Sequence, residues 1–140
     1  MEADAIVELF QEFGPVSVRR MFGGAGIFVD GRMIGLVSRD AIYLKADAET
    51  IPSFEQEGLA PFSYATKNGE HKLTSYWRMP DRLYDDPQEL ARWARAAHAA
   101  AQRKAERSRK QSGKAKNENA KALRQPLRAR PRRLRDRPRT

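Results

Sequence analysis

The sequence predicts an α+β domain of order α-β-β-β-α-β-β-α, two layers with a mainly antiparallel sheet, followed by a basic disordered tail. Three observations carry this. Two dipeptides with hairpin-turn chemistry, Asp30-Gly31 and Asn68-Gly69, each separate two runs of strand-forming residues. Apolar residues recur at helical spacing at both ends of the first hundred residues. All twelve aromatic residues lie at or before Trp93, so a single core must form from that part of the 140-residue chain.

The first helix is predicted over residues 4 to 13, where Ile6, Leu9, Phe10 and Phe13 share a face and Asp4 is placed to cap it. Gly14-Pro15 stops it, because glycine accepts a left-handed conformation and proline cannot extend the ladder. Val16-Ser17-Val18 leads a strand into the glycine run Gly23-Gly24-Ala25-Gly26. Ile27-Phe28-Val29 and Met33 to Val37 flank the first hairpin turn, and Ser38-Arg39-Asp40 turns the chain into Ala41 to Lys45. A short helix follows, with Thr50 as cap, Pro52 in its first turn and Gly58 closing it. Phe62 to Thr66 and Lys72 to Trp77 make the second hairpin, which brings the predicted strands to five. The last helix opens on Asp86-Pro87-Gln88-Glu89, close to a capping box with proline in its first position. Leu90, Trp93, Ala94, Ala97 and Ala101 line its apolar face.

Charge divides the chain. Residues 1–100 hold 11 Lys and Arg against 15 Asp and Glu, whereas residues 101–140 hold 16 against 3. A mildly acidic domain, residues 1–105, is thus joined to a strongly basic tail, residues 106–140. Beyond Ala105 only Leu123, Leu127 and Leu134 are large and apolar, too little burial to offset a chain entropy of roughly 1–2 kcal/mol per residue. That tail is expected to be disordered in isolation, with transient helix over Lys114 to Leu127. The absence of cysteine excludes disulfides and thiolate chemistry, and no apolar run reaches the roughly 18 residues of a membrane span. An acidic N-terminus without a cationic leader points to a cytoplasmic protein that does not engage a membrane.

No residue pattern asks for catalysis, a metal or a cofactor. His71 and His98 lack a third His or Cys to complete a zinc site, and each is expected to be satisfied internally or to face solvent. The glycine run leads into a strand rather than a helix, so a bulge or bend in the sheet explains it better than a phosphate cradle. Arg19 and Arg20 beside it are expected to find internal partners or water. Tyr43, Tyr64, Tyr76 and Trp77 lie on predicted strands; packing is favoured over base stacking, since the domain is acidic and its strands carry few cations.

Four motifs occur in order: Arg20-Met21-Phe22-Gly23-Gly24-Ala25-Gly26, Gly58 to Tyr64, Ser75-Tyr76-Trp77-Arg78-Met79-Pro80, and the Leu90/Trp93 helix. They resemble the N-terminal domain of the TfoX/Sxy family, bacterial proteins associated with regulation of competence for DNA uptake, and the resemblance covers roughly residues 3 to 104. The resemblance marks Arg20, Met21, Phe22, Gly23, Gly24 and Gly26 as motif residues. It implies a secretion-chaperone-like α+β fold and a non-enzymatic role in transcriptional or competence regulation, exercised through contacts with another protein. In members that regulate competence the domain is generally paired with a second, helical domain, and here the basic tail stands in that place.

The tail carries the binding chemistry that the residues themselves suggest. Arg124, Arg128, Arg130, Arg132, Arg133, Arg135, Arg137 and Arg139 each present a permanent charge able to bridge two phosphate oxygens. Nucleic-acid binding without sequence preference is one expectation for this cluster, and a solubilising charge run is the other. Pro126, Pro131 and Pro138 argue against one continuous helix reading a groove. A further arrangement makes the tail the main actor and the domain a homodimerising platform, paired through sheet edges.

Overall fold

A computed structural model describes residues 1–21 and 23–124, with side chains as far as Arg109. The elements are α1 (Ala3–Leu9), β1 (Ser17–Met21), β2 (Gly24–Val29), β3 (Arg32–Ser38), β4 (Ala41–Lys45), α2 (Ile51–Gln56), β5 (Pro61–Thr66), β6 (Gly69–Arg78), a 3-10 turn (Asp81–Asp85) and α3 (Pro87–Arg124). The fold class is the α+β arrangement that the sequence predicts, with one open antiparallel sheet in the order β1-β2-β3-β4-β6-β5.

The sheet has six strands rather than five. The segment expected only to lead into the glycine run is a full strand, β1, and Met21 pairs with Gly24 to close a hairpin in which Gly23 takes φ +79°. The glycines therefore serve a turn and close packing, not a bulge. The bulge lies one step further on, where Ile27 and Phe28 of β2 oppose Gly35 and Met33 of β3 and Ile34 is left as the extra residue. That insertion lets Ile34 be fully buried beside Ile27 in the core.

The turns follow their chemistry with two differences. Asp30 (φ +52°) and Gly31 (φ +77°) form the left-handed pair that a I′ hairpin needs. The turn between β3 and β4 is equally tight, since Ser38 pairs with Ala41 and both Arg39 (φ +52°) and Asp40 (φ +62°) are left-handed without glycine. In the last hairpin Thr66 pairs with Gly69, which moves the turn to Lys67-Asn68. Only Gly69 has positive φ there, and the Thr66 hydroxyl shapes the turn by accepting from the Asn68 N–H and donating to the Gly69 carbonyl.

Direct partners across the sheet give its two faces. Val18, Ile27, Gly35, Leu44, Trp77 and Pro61 form one continuous row over all six strands. Ile27, Leu44 and Trp77 of this row join Ile6 and Phe10 at α1, Phe54 of α2, and Leu90, Ala94, Ala97 and Ala101 of α3 in a single hydrophobic core. The helices thus cover this face.

Helix ends differ from the sequence expectation in detail. Asp4 lies inside the first turn of α1 rather than capping it, where its charge still favours the positive helix end. Thr50 precedes α2 without a side-chain cap, because its hydroxyl is engaged with the Asp47 backbone. Asp86 does cap α3, accepting from the Glu89 N–H at 3.1 Å, but the Glu89 carboxylate is bound by Arg82 and does not complete a capping box.

The chain divides into two units, Met1–Lys104 and Ala105–Thr140. Residues 106–124 continue α3. Ala, Lys, Arg, Gln and Glu are strong helix formers and no proline interrupts them before Pro126. Of the predicted nucleic-acid cluster, Arg124 is the last residue of α3, and Arg128, Arg130, Arg132, Arg133, Arg135, Arg137 and Arg139 lie outside the described residues.

Candidate interaction face

The face of the sheet opposite the core is defined by a second row, Arg19, Gly26, Leu36, Tyr43 and Arg78, each the direct partner of the next across five strands. Alternation along a strand places this row away from the helices. An arginine stands at each end, and apolar side chains lie between them. At one end the Arg19 guanidinium sits 4.8 Å from the centroid of the Phe28 ring, a cation–π contact. At the other, Arg78 approaches Asp81 only loosely, at 3.7 Å.

Aromatic rings continue the row onto the last hairpin. Phe62 meets Tyr43 edge-to-face at 5.0 Å, Tyr64 stacks on Phe62 at 6.0 Å, and His71 stacks on its strand partner Tyr64 at 5.8 Å. Tyr64 is 47 % exposed and Leu73, the partner of Phe62, is 37 % exposed. The core or half-buried packing expected for the strand aromatics holds for Tyr76 and Trp77, which are buried, and for Tyr43, which is half-buried, whereas Tyr64 is open to solvent. Sequence reasoning passed over Phe62, Leu73 and His71 as members of this face. The signal was the period of two in Phe62 and Tyr64, read against the opposing strand.

The glycine motif abuts the same face. A side chain at Gly26 would collide with Phe28, Met33 and Met21, whose side chains converge over it. At Gly24 the obstacle is the Val37 carbonyl oxygen on β3, and its φ is ordinary. Arg20 alternates with Arg19 and pairs with Ala25; with Glu2, Arg39 and Asp40 it borders a polar cleft of about 430 Å³ beside α1. Neither Arg19 nor Arg20 enters an ion pair among the described residues. Phe22, the remaining motif residue, lies outside the described residues.

Two charge clusters that sequence reasoning missed brace the core side. Arg82 in the 3-10 turn binds Glu57, just after α2, through 2.5 and 2.8 Å hydrogen bonds, and Glu89 of α3 through 2.9 and 2.7 Å bonds. These bonds hold both carboxyls below their usual range. Arg103 of α3 likewise grips Asp47 at 2.7 and 3.0 Å and lowers its pKa. The partners are far apart in sequence, so no local pattern announces them. His98 differs from its expectation: its Nε2 is buried without a hydrogen-bond partner, and Asp30 Oδ2 stands 4.0 Å away.

Among the described residues no helix is long and apolar enough to cross a membrane. No curated protein matches the chain. The family model of the TfoX N-terminal domain matches residues 8–101, a span that takes in the glycine hairpin, the whole sheet and the part of α3 that packs on it. The chain belongs to the TfoX N-terminal domain family.

Proposed function

We propose that this protein is a non-enzymatic regulatory module of the TfoX/Sxy type, acting in the cytoplasm on transcription or competence through protein contacts on its open sheet face. The observation that carries this reading is the Arg19–Arg78 row with its aromatic extension to Tyr64 and Leu73, an apolar surface framed by cations. Such a surface is the usual anatomy of a protein contact, with large apolar anchors inside a charged rim. The basic residues from 106 onward hold nucleic acid without sequence preference, as a complement to that contact.

Two full-length variants test the division of labour. Tyr64→Glu with Leu73→Glu should abolish co-purification of a protein partner and leave DNA binding intact. Replacing the eight arginines Arg124, Arg128, Arg130, Arg132, Arg133, Arg135, Arg137 and Arg139 by Gln should do the reverse. With about six phosphates neutralised, wild-type affinity for duplex DNA should fall roughly a thousandfold between 50 and 200 mM salt. A partner retained by the folded Tyr64/Leu73 variant would remove the sheet face from the proposal.

A second reading makes the basic segment the main actor and the domain a dimerising platform. The observation in its favour is that β5 is an edge strand whose last four residues are exposed. Sedimentation equilibrium separates the two: a concentration-dependent dimer that binds DNA in the absence of any partner favours the platform.

A further inference from the structure

A cleft of about 280 Å³ lies between α2 and α3 and reaches the end of β4. Its floor is aromatic. Phe54 of α2 and Trp93 of α3 meet edge-to-face with centroids 5.0 Å apart, and Ala96 and Ala97 leave the space above them unfilled. Lys45, at the end of β4, lines the same cleft and is the one buried charged side chain among the described residues, at 7 % exposure.

Lys45 has no carboxylate partner among the described ion pairs. Asp47, two residues on, is taken by Arg103 in a two-pronged contact, and Glu49 at the rim also lies 3.1 Å from Arg103. The Lys45 ammonium instead rests 4.7 Å from the centre of the Tyr76 ring, which offsets only part of the cost of burying a charge. Burial and the neighbouring Lys104 lower its pKa to about 8. The fold therefore keeps a buried cation beside an apolar space. Arg103 close by engages both neighbouring carboxylates, Asp47 and Glu49, and leaves that cation without a counter-ion.

We infer that this cleft binds a small monocarboxylic acid carrying one flat ring, with the ring against Phe54 and Trp93 and the carboxylate against Lys45. The volume sits near the lower limit of small-molecule sites, roughly 300–1,000 Å³, so a single ring fits where a nucleotide does not. Arg92 at the mouth adds a second cation, and Ser53 offers a hydroxyl. Glu49 at the rim disfavours a densely charged anion such as a polyphosphate.

Benzoate, benzamide and acetate serve as probes against the full chain, read by amide and indole NMR shifts. Benzoate should give saturable shifts at the Trp93 indole N–H, Ser53 and Ala96, with a dissociation constant of about 1 mM or below. Benzamide lacks the charge and acetate lacks the ring, so each should bind about tenfold or more weakly. Lys45→Met, which keeps the length of the side chain, should weaken benzoate to the level of benzamide. Ala96→Leu fills the cleft and keeps the cation, so it should abolish the Trp93 shift and gives an answer even if Lys45→Met fails to fold. Unsaturated shifts across the titration, shifts scattered outside the cleft, or benzoate binding unchanged in either folded variant would overturn the inference.

Discussion

A methyl group at Gly24 has nowhere to go, because the Val37 carbonyl oxygen of the neighbouring strand already occupies its place. Backbone cannot yield as a flexible side chain does, so Gly24→Ala should destabilise the domain by about 2 kcal/mol or more, measured by urea unfolding. Gly24→Val should be worse. Gly23, with φ +79° and open space around it, should tolerate Asn far better than Ala, since Asn enters the left-handed region more readily. The sequence announced that this run needed glycine, but not that two reasons were divided between adjacent residues: conformation at Gly23 and contact at Gly24. Contact with Val37 depends on strand pairing, which no local pattern encodes. Lys45 gives a second residue-scale expectation. Its folded pKa, about 8, lies below the ordinary lysine value of 10.5, so its charge penalises folding fully below pH 8 and is relieved as pH rises toward 10.5. Tyr76 beneath it is pushed up by burial to about 12 from 10.0, so its contribution is lost between those values. Lys104 and Asp47 are the other charges facing Lys45. Stability should thus rise from pH 8 to around pH 10 and then fall, and thermal melts of Lys45→Met should lack the rise.

At the scale of elements, Arg82 joins the end of α2 to the start of α3 from a turn between them. The carboxyls of Glu57 and Glu89 are held low by this guanidinium. A depressed carboxylate contributes stability above its unfolded pKa, ordinarily 4.5, and loses it as pH falls through the lower folded value. Arg82→Ala should therefore move acid unfolding to higher pH and, because the guanidinium keeps its charge in base, lower stability on the alkaline limb as well, both followed by circular dichroism. Arg103 and Asp47 supply a separate acid-sensitive contact that survives this variant. The start of α3 was legible because Asp86 and Pro87 act on their immediate neighbours. The role of Glu89 was not, since the capping pattern fits it locally while Arg82, seven residues earlier, binds it in space. The run of α3 to Arg124 agrees with its many helix formers and with the lack of a proline before Pro126.

Across the whole molecule, the order of strands was the least accessible property. Turn chemistry at Asp30-Gly31 and the Asn68-Gly69 region declares which strands are hairpin neighbours, and those pairings stand. That β6 inserts between β4 and β5 depends on Leu44 meeting Trp77 across 32 intervening residues, and only the shared core row shows it. The open face was equally hidden, because Arg19 and Arg78 lie at opposite ends of the domain in sequence and of one row in space. This topology also has a temporal meaning. Every other strand pairing joins neighbours in the chain, so the β1–β4 meander and the β5–β6 hairpin can each close over short loops, while β4–β6 is the one joint that must span α2. Leu44→Ala at that joint should slow refolding in stopped-flow measurements, whereas Val18→Ala at the far edge should mainly speed unfolding. The Leu44–Trp77 contact is then the slow step in building the molecule, and a nascent chain must be synthesised past Trp77 before its sheet can be completed.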